Sequence, residues 1–401
     1  MNTIAELLQV VPKSELHAHL DGSMRLATLI ELAGAQGVQL PSFDVEGLTR
    51  EVFKPHYENL SQYLLGFAYT CAVLSSFEAM ERAAYEMAVD AIQDGVRYLE
   101  VRFSPQRLVA TSEECISAFR AVNAGLEKAA RGFNQCAAVR SNADIPFEYG
   151  IICCAMRNFG PGMGRYFDAL LNVLSNTSKR DVIRSASMEA VRAALVARDR
   201  FGIPVVAFDL AGEEAGYRAG HHYAAYEEAH HNFMRKTVHA GEAYGPESIY
   251  EALTKCHAER IGHGTFMFAT ERIQSPEIVD KEAYVDAIAN YVATRRITVE
   301  VCPTSNLQTI PELQGDMALH PVRKMLEYGI SVAICTDNTL ISHTTLTREL
   351  LLTAEACQLN KIQLKRLVLA AFKGAFYPGS YTHKRKFIKR AADKIDEVFN
   401  S

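Results

Sequence analysis

Four short segments decide what this chain can fold into: Glu15-Leu16-His17-Ala18-His19-Leu20-Asp21-Gly22, Val238-His239-Ala240-Gly241-Glu242, Ile261-Gly262-His263-Gly264 and Cys335-Thr336-Asp337-Asn338. Each sets a metal-competent or acid/base side chain at the end of a short apolar run. Histidine and carboxylate are the ordinary ligands of a hydrolytic zinc that keeps a position open for water. Segments this far apart in sequence serve one centre only if the fold collects strand ends at one place.

Short β-branched runs supply eight such strands, expected at Ser14–Leu20, Val96–Phe103, Phe147–Ala155, Pro204–Asp209, Arg235–Ala240, Arg260–His263, Ile297–Cys302 and Ser331–Thr336. Helix-like stretches such as Phe77–Asp94, Glu113–Arg131, Met188–Phe201, Ile249–Ala258, Lys281–Arg295 and Pro321–Tyr328 lie between them. Alternation of this kind builds a parallel sheet with crossover helices, and eight repeats close into a (β/α)8 TIM barrel. An open doubly wound sheet shares the alternation. No Gly-x-Gly-x-x-Gly follows the first strand, however, and the chemistry recurs at several strand C-termini, which favours the barrel. Residues 1–401 are therefore read as one barrel domain. The stretch Pro41–Ser76 is too long for a single connection and is expected to add helices over the C-terminal mouth. Its aromatics, among them Phe53, Tyr57, Tyr63 and Phe67, form either a lid or an ordinary packed insert.

Bulk properties exclude several classes. A content of 48% hydrophobic and 22% charged residues supports a core and argues against disorder. The formal charge of −5 lacks the basic excess of a nucleic-acid or anionic-membrane binder. No apolar stretch is long enough to span a bilayer, and Met1 to Lys13 shows no basic start followed by an apolar run. Nine cysteines without a Cys-x-x-Cys read as reduced thiols, so a cytoplasmic location is expected. The expected partner is a small molecule, with no nucleic acid and no membrane; no oligomeric state follows. His221, His222, His230 and His231 are adjacent pairs on an amphipathic stretch and are expected at the surface. The His383-Lys384-Arg385-Lys386 run is expected on the solvated face of a last helix.

Within the four segments, His17 and His19 are two apart, so on a strand both imidazoles share one face, and Asp21 continues that parity. Gly241 lets the chain turn between His239 and Glu242, although Glu242 could also cap a helix while His239 fills the core. His263 is flanked by Gly262 and Gly264, which leave a core histidine little to pack against. Asp337 follows the apolar Val332-Ala333-Ile334 and needs a cation or several hydrogen bonds to stay ionised. Cys302 and Cys335 read as buried free thiols.

With Asp209-Leu210-Ala211-Gly212-Glu213-Glu214, Arg260-Ile261-Gly262-His263-Gly264 and Cys302-Pro303-Thr304-Ser305-Asn306 added, the chain closely resembles the adenosine deaminase family of metal-dependent aminohydrolases. The motifs occur in family order from Glu15 to about Glu349. The resemblance implies one zinc per chain on His17, His19, His239 and Asp337. It implies that His263 and Asp337 orient a water and take its proton, and that Glu242 protonates N1 as the water attacks C6 of a purine, with loss of ammonia. His19, Asp21, Gly212 and Asn338 would face the substrate: Gly212 through its N–H to N3, and Asp21 by accepting from a ribose hydroxyl. A carboxylate at position 21 favours an uncharged nucleoside and disfavours a 5′-phosphate. Asn338 departs from the Asp of many members; its amide donates to N7 directly, where Asp must first be protonated.

The expected reaction is deamination of adenosine or 2′-deoxyadenosine. Another 6-aminopurine nucleoside, 5′-modified or futalosine-type, is the nearest alternative. A catalytically silent binding protein on this scaffold would be expected to lose a ligand or the general acid, and none is lost. A phosphotriesterase-like barrel needs a lysine to carboxylate, which the apolar Pro204–Phe208 does not offer.

Overall fold

The computed structural model describes residues 3–400. Eight strands, β1 (Lys13–His19), β2 (Val96–Phe103), β3 (Glu148–Met156), β4 (Val205–Ala211), β5 (Arg235–Ala240), β6 (Arg260–His263), β7 (Thr298–Val301) and β8 (Ser331–Ile334), pair in sequence order. Every pairing is parallel. Their residues are buried almost throughout because both faces are covered, the outer one by crossover helices. In Ser112–Asn134, for example, Phe119, Val122 and Leu126 face inward. Strand positions match expectation to within one or two residues. The helix expected at Met188–Phe201 instead begins at Lys179, where Ser178 caps the Asp181 N–H and Val182 and Ile183 already bury an apolar face.

The sheet closes where β8 meets β1, through a residue beyond the end of β8. Ala18 bridges Asp337. The Asp337 N–H donates to the His17 carbonyl, and the His19 N–H to the Asp337 carbonyl, both at 2.8 Å. Glu15 adds a side-chain clasp across the seam, accepting from the backbone N–H of His17 at 2.8 Å and of Thr336 at 3.0 Å. The eight-stranded (β/α)8 barrel is thus a closed one.

A buried polar layer fills part of the interior. Arg102 donates to Asp209 at 2.7 Å, to Glu300 at 2.8 Å and to the Leu16 carbonyl at 2.6 Å. Arg260 donates to Glu300 at 2.6 Å and also to Glu100. All five charged groups are essentially inaccessible to water.

Helices Val45–Glu51, Leu60–Leu64 and Phe67–Val73 lie within the 41–76 stretch. Phe53, Tyr63 and Phe67 are buried there, whereas Tyr57 and Tyr69 are only partly covered. This stretch reaches the mouth: Ser61 Oγ donates to Glu213 at 3.1 Å, and the Tyr63 hydroxyl lies 3.0 Å from Ser342 Oγ. Among the described residues no helix is long and apolar enough to cross a membrane.

Breaking a buried ion network by removing one partner strands the others, a cost of about 3–5 kcal/mol. Arg260→Met should therefore destabilise the protein by about that amount in urea unfolding, since Glu100 and Glu300 each lose a cation. A loss below about 1 kcal/mol would mean that the layer contributes little to stability.

Candidate metal and catalytic centre

The C-terminal ends of β1, β5 and β6 and the residue closing the seam bring His17, His19, His239, His263 and Asp337 together. His17 Nδ1 donates to Glu300 at 2.7 Å, which leaves the lone pair on Nε2; that atom is buried and has no partner in the protein. His239 Nδ1 lies 3.1 to 3.2 Å from the two oxygens of Asp209, which fixes its free lone pair on Nε2 in the same way. That Nε2 faces His19 Nε2 at 3.2 Å. Asp337 Oδ1 is 3.5 Å from Nε2 of both His17 and His19, and its Oδ2 accepts from Ser305 at 2.6 Å. Burial alone would raise the Asp337 pKa, but the His17 ring 3.5 Å away and the other adjacent imidazoles hold it well below the carboxylate range. Burial keeps His19 and His263 neutral.

One ligand atom from each of His17, His239, His263 and Asp337 lies within 4.8 Å of the others. The orphaned lone pair on His17 and the carboxylate fit a divalent cation that takes nitrogen and oxygen, such as zinc. His263 is distinguished from the other imidazoles by its partners. The Val322 N–H donates to His320 Nδ1 at 3.1 Å, so His320, held neutral by burial, carries its proton on Nε2 and donates to Asn306 Oδ1 at 3.2 Å. Asn306 Nδ2 then donates to His263 Nδ1 at 3.1 Å, which puts the His263 proton on Nε2. That N–H points toward the centre as a donor, 3.6 Å from Glu242.

Crowding here demands unusual backbone. His263 (φ 62) and Asp337 (φ 61) are left-handed without being glycine, the kind of strain retained where geometry is functional. At Gly262 a Cβ would sit 3.1 Å from His17 Cε1 and 3.2 Å from the His239 Cα, so glycine lets the rings approach.

Glu242 is buried, and burial pushes its pKa up to about 8, so it holds a proton at neutral pH. Its loop is pinned by Glu214, whose carboxylate accepts the backbone N–H groups of Gly241 (2.9 Å), Glu242 (2.9 Å), Ala243 (2.6 Å) and Tyr244 (2.9 Å), as well as Ser248 Oγ. Sequence reading placed Glu214 in a motif but gave it no role. Nothing local marks a carboxylate that will meet amides nearly thirty residues downstream.

A cavity of about 250 Å³, small-molecule in scale, opens onto the centre. His19, Asp21, Gly212 and Asn338 line it with Glu242 and Asp337. Gly212 (φ 98) lies just past β4, and its N–H has no acceptor among the described residues. Asn338 donates to the Tyr63 hydroxyl at 2.9 Å while its Oδ1 is unpartnered. A Cβ on Gly22 would overlap that oxygen at 1.7 Å. Asp21 accepts from Cys71 Sγ at 3.5 Å, and its Oδ1 has no partner. Sequence reading did not single out Arg107, which lines the same cavity.

The other histidines stay out of the centre: His230 and His231 are exposed as expected, with His230 stacked on His257, whereas His222, expected at the surface, is buried and pairs with Ser187 at 2.7 Å. Cys302 and Cys335 are buried free thiols, pushed up by burial. In the 383–386 run, Lys384 is half-buried and donates to the carbonyls of Lys373 and Ala375, the rest being exposed.

A closed parallel barrel whose strand ends gather imidazoles, an ionised aspartate and a protonated glutamate defines a hydrolase of the (β/α)8 class. Its family is equally plain. The adenosine deaminase family model matches residues 12–394, and the chain belongs to the adenosine deaminase family. An adenosine deaminase of Mycobacterium sp. (strain JLS) is 34% identical over 379 residues, covering 93% of this chain and 92% of that one. A probable adenosine deaminase of Dictyostelium discoideum is 31% identical over 389 residues; the match takes in 96% of this chain but only 43% of that longer protein. Among solved structures, an Arabidopsis protein complexed with GMP superposes with a TM-score of 0.70 at 25% identity, covering 95% of this chain and 96% of that one.

Glu214→Ala should free the 241–244 amides and let Glu242 wander. Turnover should fall steeply while bound metal stays near wild type. Loss of metal to the same degree as activity would show that Glu214 supports the whole centre and not the acid alone.

Proposed function

We propose that this protein hydrolytically deaminates adenosine or 2′-deoxyadenosine to inosine or 2′-deoxyinosine and ammonia, with one zinc held by His17, His19, His239 and Asp337. The observation that carries the reading is Glu242: a buried carboxyl that keeps its proton beside an ionised aspartate and a donor imidazole. A bound zinc supplies the acidified water that such chemistry needs at neutral pH. The chain's own residues do the rest. Glu242 delivers a proton to N1, which makes C6 electrophilic. Asp337 accepts the proton of the attacking water, and the His263 Nε2–H steadies its oxygen. The free Gly212 N–H meets N3, an amide hydrogen of Asn338 meets N7, and Asp21 accepts from a ribose hydroxyl. The Arabidopsis neighbour's complex with GMP supports a purine as the small-molecule partner.

The test is direct. Zinc-loaded protein mixed with adenosine should show the ultraviolet change to inosine, with ammonia released; protein with a full complement of zinc that leaves adenosine and 2′-deoxyadenosine unchanged overturns the proposal. Metal analysis should find about one zinc per chain, lost together with activity in His17→Ala. Glu242→Gln should keep zinc and bind nucleoside, yet lose about two to four orders of magnitude in turnover, since glutamine has no proton to give. For the same reason wild-type kcat should fall as pH rises through about 8, where Glu242 loses its proton.

Asn338 offers a finer test. Asn donates at every pH, whereas Asp donates only while protonated. Asn338→Asp should lose adenosine affinity as pH rises and change little toward 7-deazaadenosine, which lacks the N7 acceptor. Equal effects on both substrates would remove Asn338 from the purine and leave it the structural role visible in its bond to Tyr63.

A further inference from the structure

Three polar side chains on the wall of the catalytic cavity have nothing to bond to. Ser104, one residue beyond β2, is only 5% exposed, and its Oγ has no partner. Arg107, on the short helix Pro105–Leu108, has a buried Nε without an acceptor and forms no ion pair or hydrogen bond through its guanidinium with any described residue. Asn158, two residues beyond β3, has a buried unpartnered Oδ1, and its amide makes no other bond. All three line the cavity that Asp21 and Glu242 also line.

Elsewhere in this protein the buried arginines hold carboxylates or carbonyls through their terminal nitrogens, even where Nε is left unpartnered, as in Arg102 and Arg157; Arg260 engages Nε as well. Arginine cannot escape the cost of burial by losing its proton, so a half-buried guanidinium without an acceptor is a site that awaits one. Its planar fork suits a carboxylate or phosphate bidentately. A hydroxyl beside it donates readily, and an amide presents donors once turned, since its two ends are interchangeable in assignment. The charge of Arg107 acts on Asp21, which places the group at the sugar end and offsets the repulsion that a carboxylate at position 21 sets against a second anion.

We infer that Ser104, Arg107 and Asn158 form a subsite for an anionic group on the substrate, so that the preferred substrate is a 6-aminopurine nucleoside carrying a phosphate or carboxylate at its 5′ end. This rests on the deaminase reading above and moves its preferred substrate from the free nucleoside to one that carries a 5′ anion. Asp21 keeps its ribose hydroxyl, and Arg107 takes the anion beyond it.

The experiment compares kcat/KM of zinc-loaded protein for adenosine, AMP and adenosine 5′-carboxylate. One of the two anions should exceed adenosine by about tenfold or more, chiefly through KM, and which one does so tells phosphate from carboxylate. Arg107→Leu and Arg107→Gln should each bring that ratio to one or below; two variants guard against a folding defect in either. Calorimetric binding of AMP, adenosine 5′-carboxylate and adenosine to Glu242→Gln protein, with and without Arg107→Gln, gives the same ratio without turnover. A wild type without turnover whose Glu242→Gln form still binds an anion more tightly through Arg107 therefore sinks the deaminase reading and keeps the subsite. Adenosine preferred in both assays, or a ratio unmoved by the Arg107 variants, overturns the subsite.

Discussion

The centre depends on the way the barrel closes. β8 ends at Ile334, and what joins it to β1 is the backbone of Asp337, hydrogen-bonded on either side of Ala18. The same residue turns its carboxylate to within 3.5 Å of the His17 and His19 rings. Its left-handed backbone is what allows the main chain to serve the seam while the side chain serves the site. Placement of the site carboxylate is therefore not a late decoration on a finished scaffold. If the seam does not form, the aspartate is not delivered, and with the seam formed it has few other places to go.

Beneath this layer one buried cation coordinates the orientation of two imidazoles. Arg102 binds Asp209 and Glu300, and these carboxylates in turn hold the Nδ1 atoms of His239 and His17. Arg260 and Thr237 satisfy the remaining oxygen of Glu300. Carboxylates that orient ligand imidazoles fix the tautomer and raise ligand basicity. Here the arginine ties both orienting groups to one point, so the two rings are preorganised together. The Asn306–His320 relay fixes the opposite tautomer on His263, leaving a donor where its neighbours leave lone pairs.

Much of this was legible in sequence because it is local. Strand parity put His17, His19 and Asp21 on one face, flanking glycines exposed His263, and apolar runs ending in His or Asp gave the strand ends. Other features depend on contacts between segments that no short window contains. Glu214 reads as one acid among several in a loop, yet it gathers amides from the next strand's turn. Asn306, on the helix Pro303–Thr309, meets His263 from the end of β6 on one side and His320 from the loop beyond on the other, a juxtaposition only the fold makes. Asn338 was read as a purine contact, but its first partner is Tyr63 from the 41–76 helices, which the fold lays across the mouth. Arg107 resembles an ordinary surface residue of a short connection until the barrel curls it onto the cavity wall.

The division of labour between two carboxylates follows from how hydrogen-bond donors are allotted. Glu242 and Asp337 face the same cavity, and burial pushes both toward neutrality. Asp337 receives a hydroxyl from Ser305 and sits among imidazoles, so it ionises. The amides of Gly241 through Tyr244, that of Glu242 included, all point to Glu214, and among the described residues the Glu242 carboxyl accepts no hydrogen bond, the His263 nitrogen lying 3.6 Å away. Deprived of donors that would favour the anion, Glu242 keeps its proton. Glu214 therefore acts twice: it fixes the loop that aims the acid, and it diverts the amides whose bonds would otherwise have turned that acid into a base.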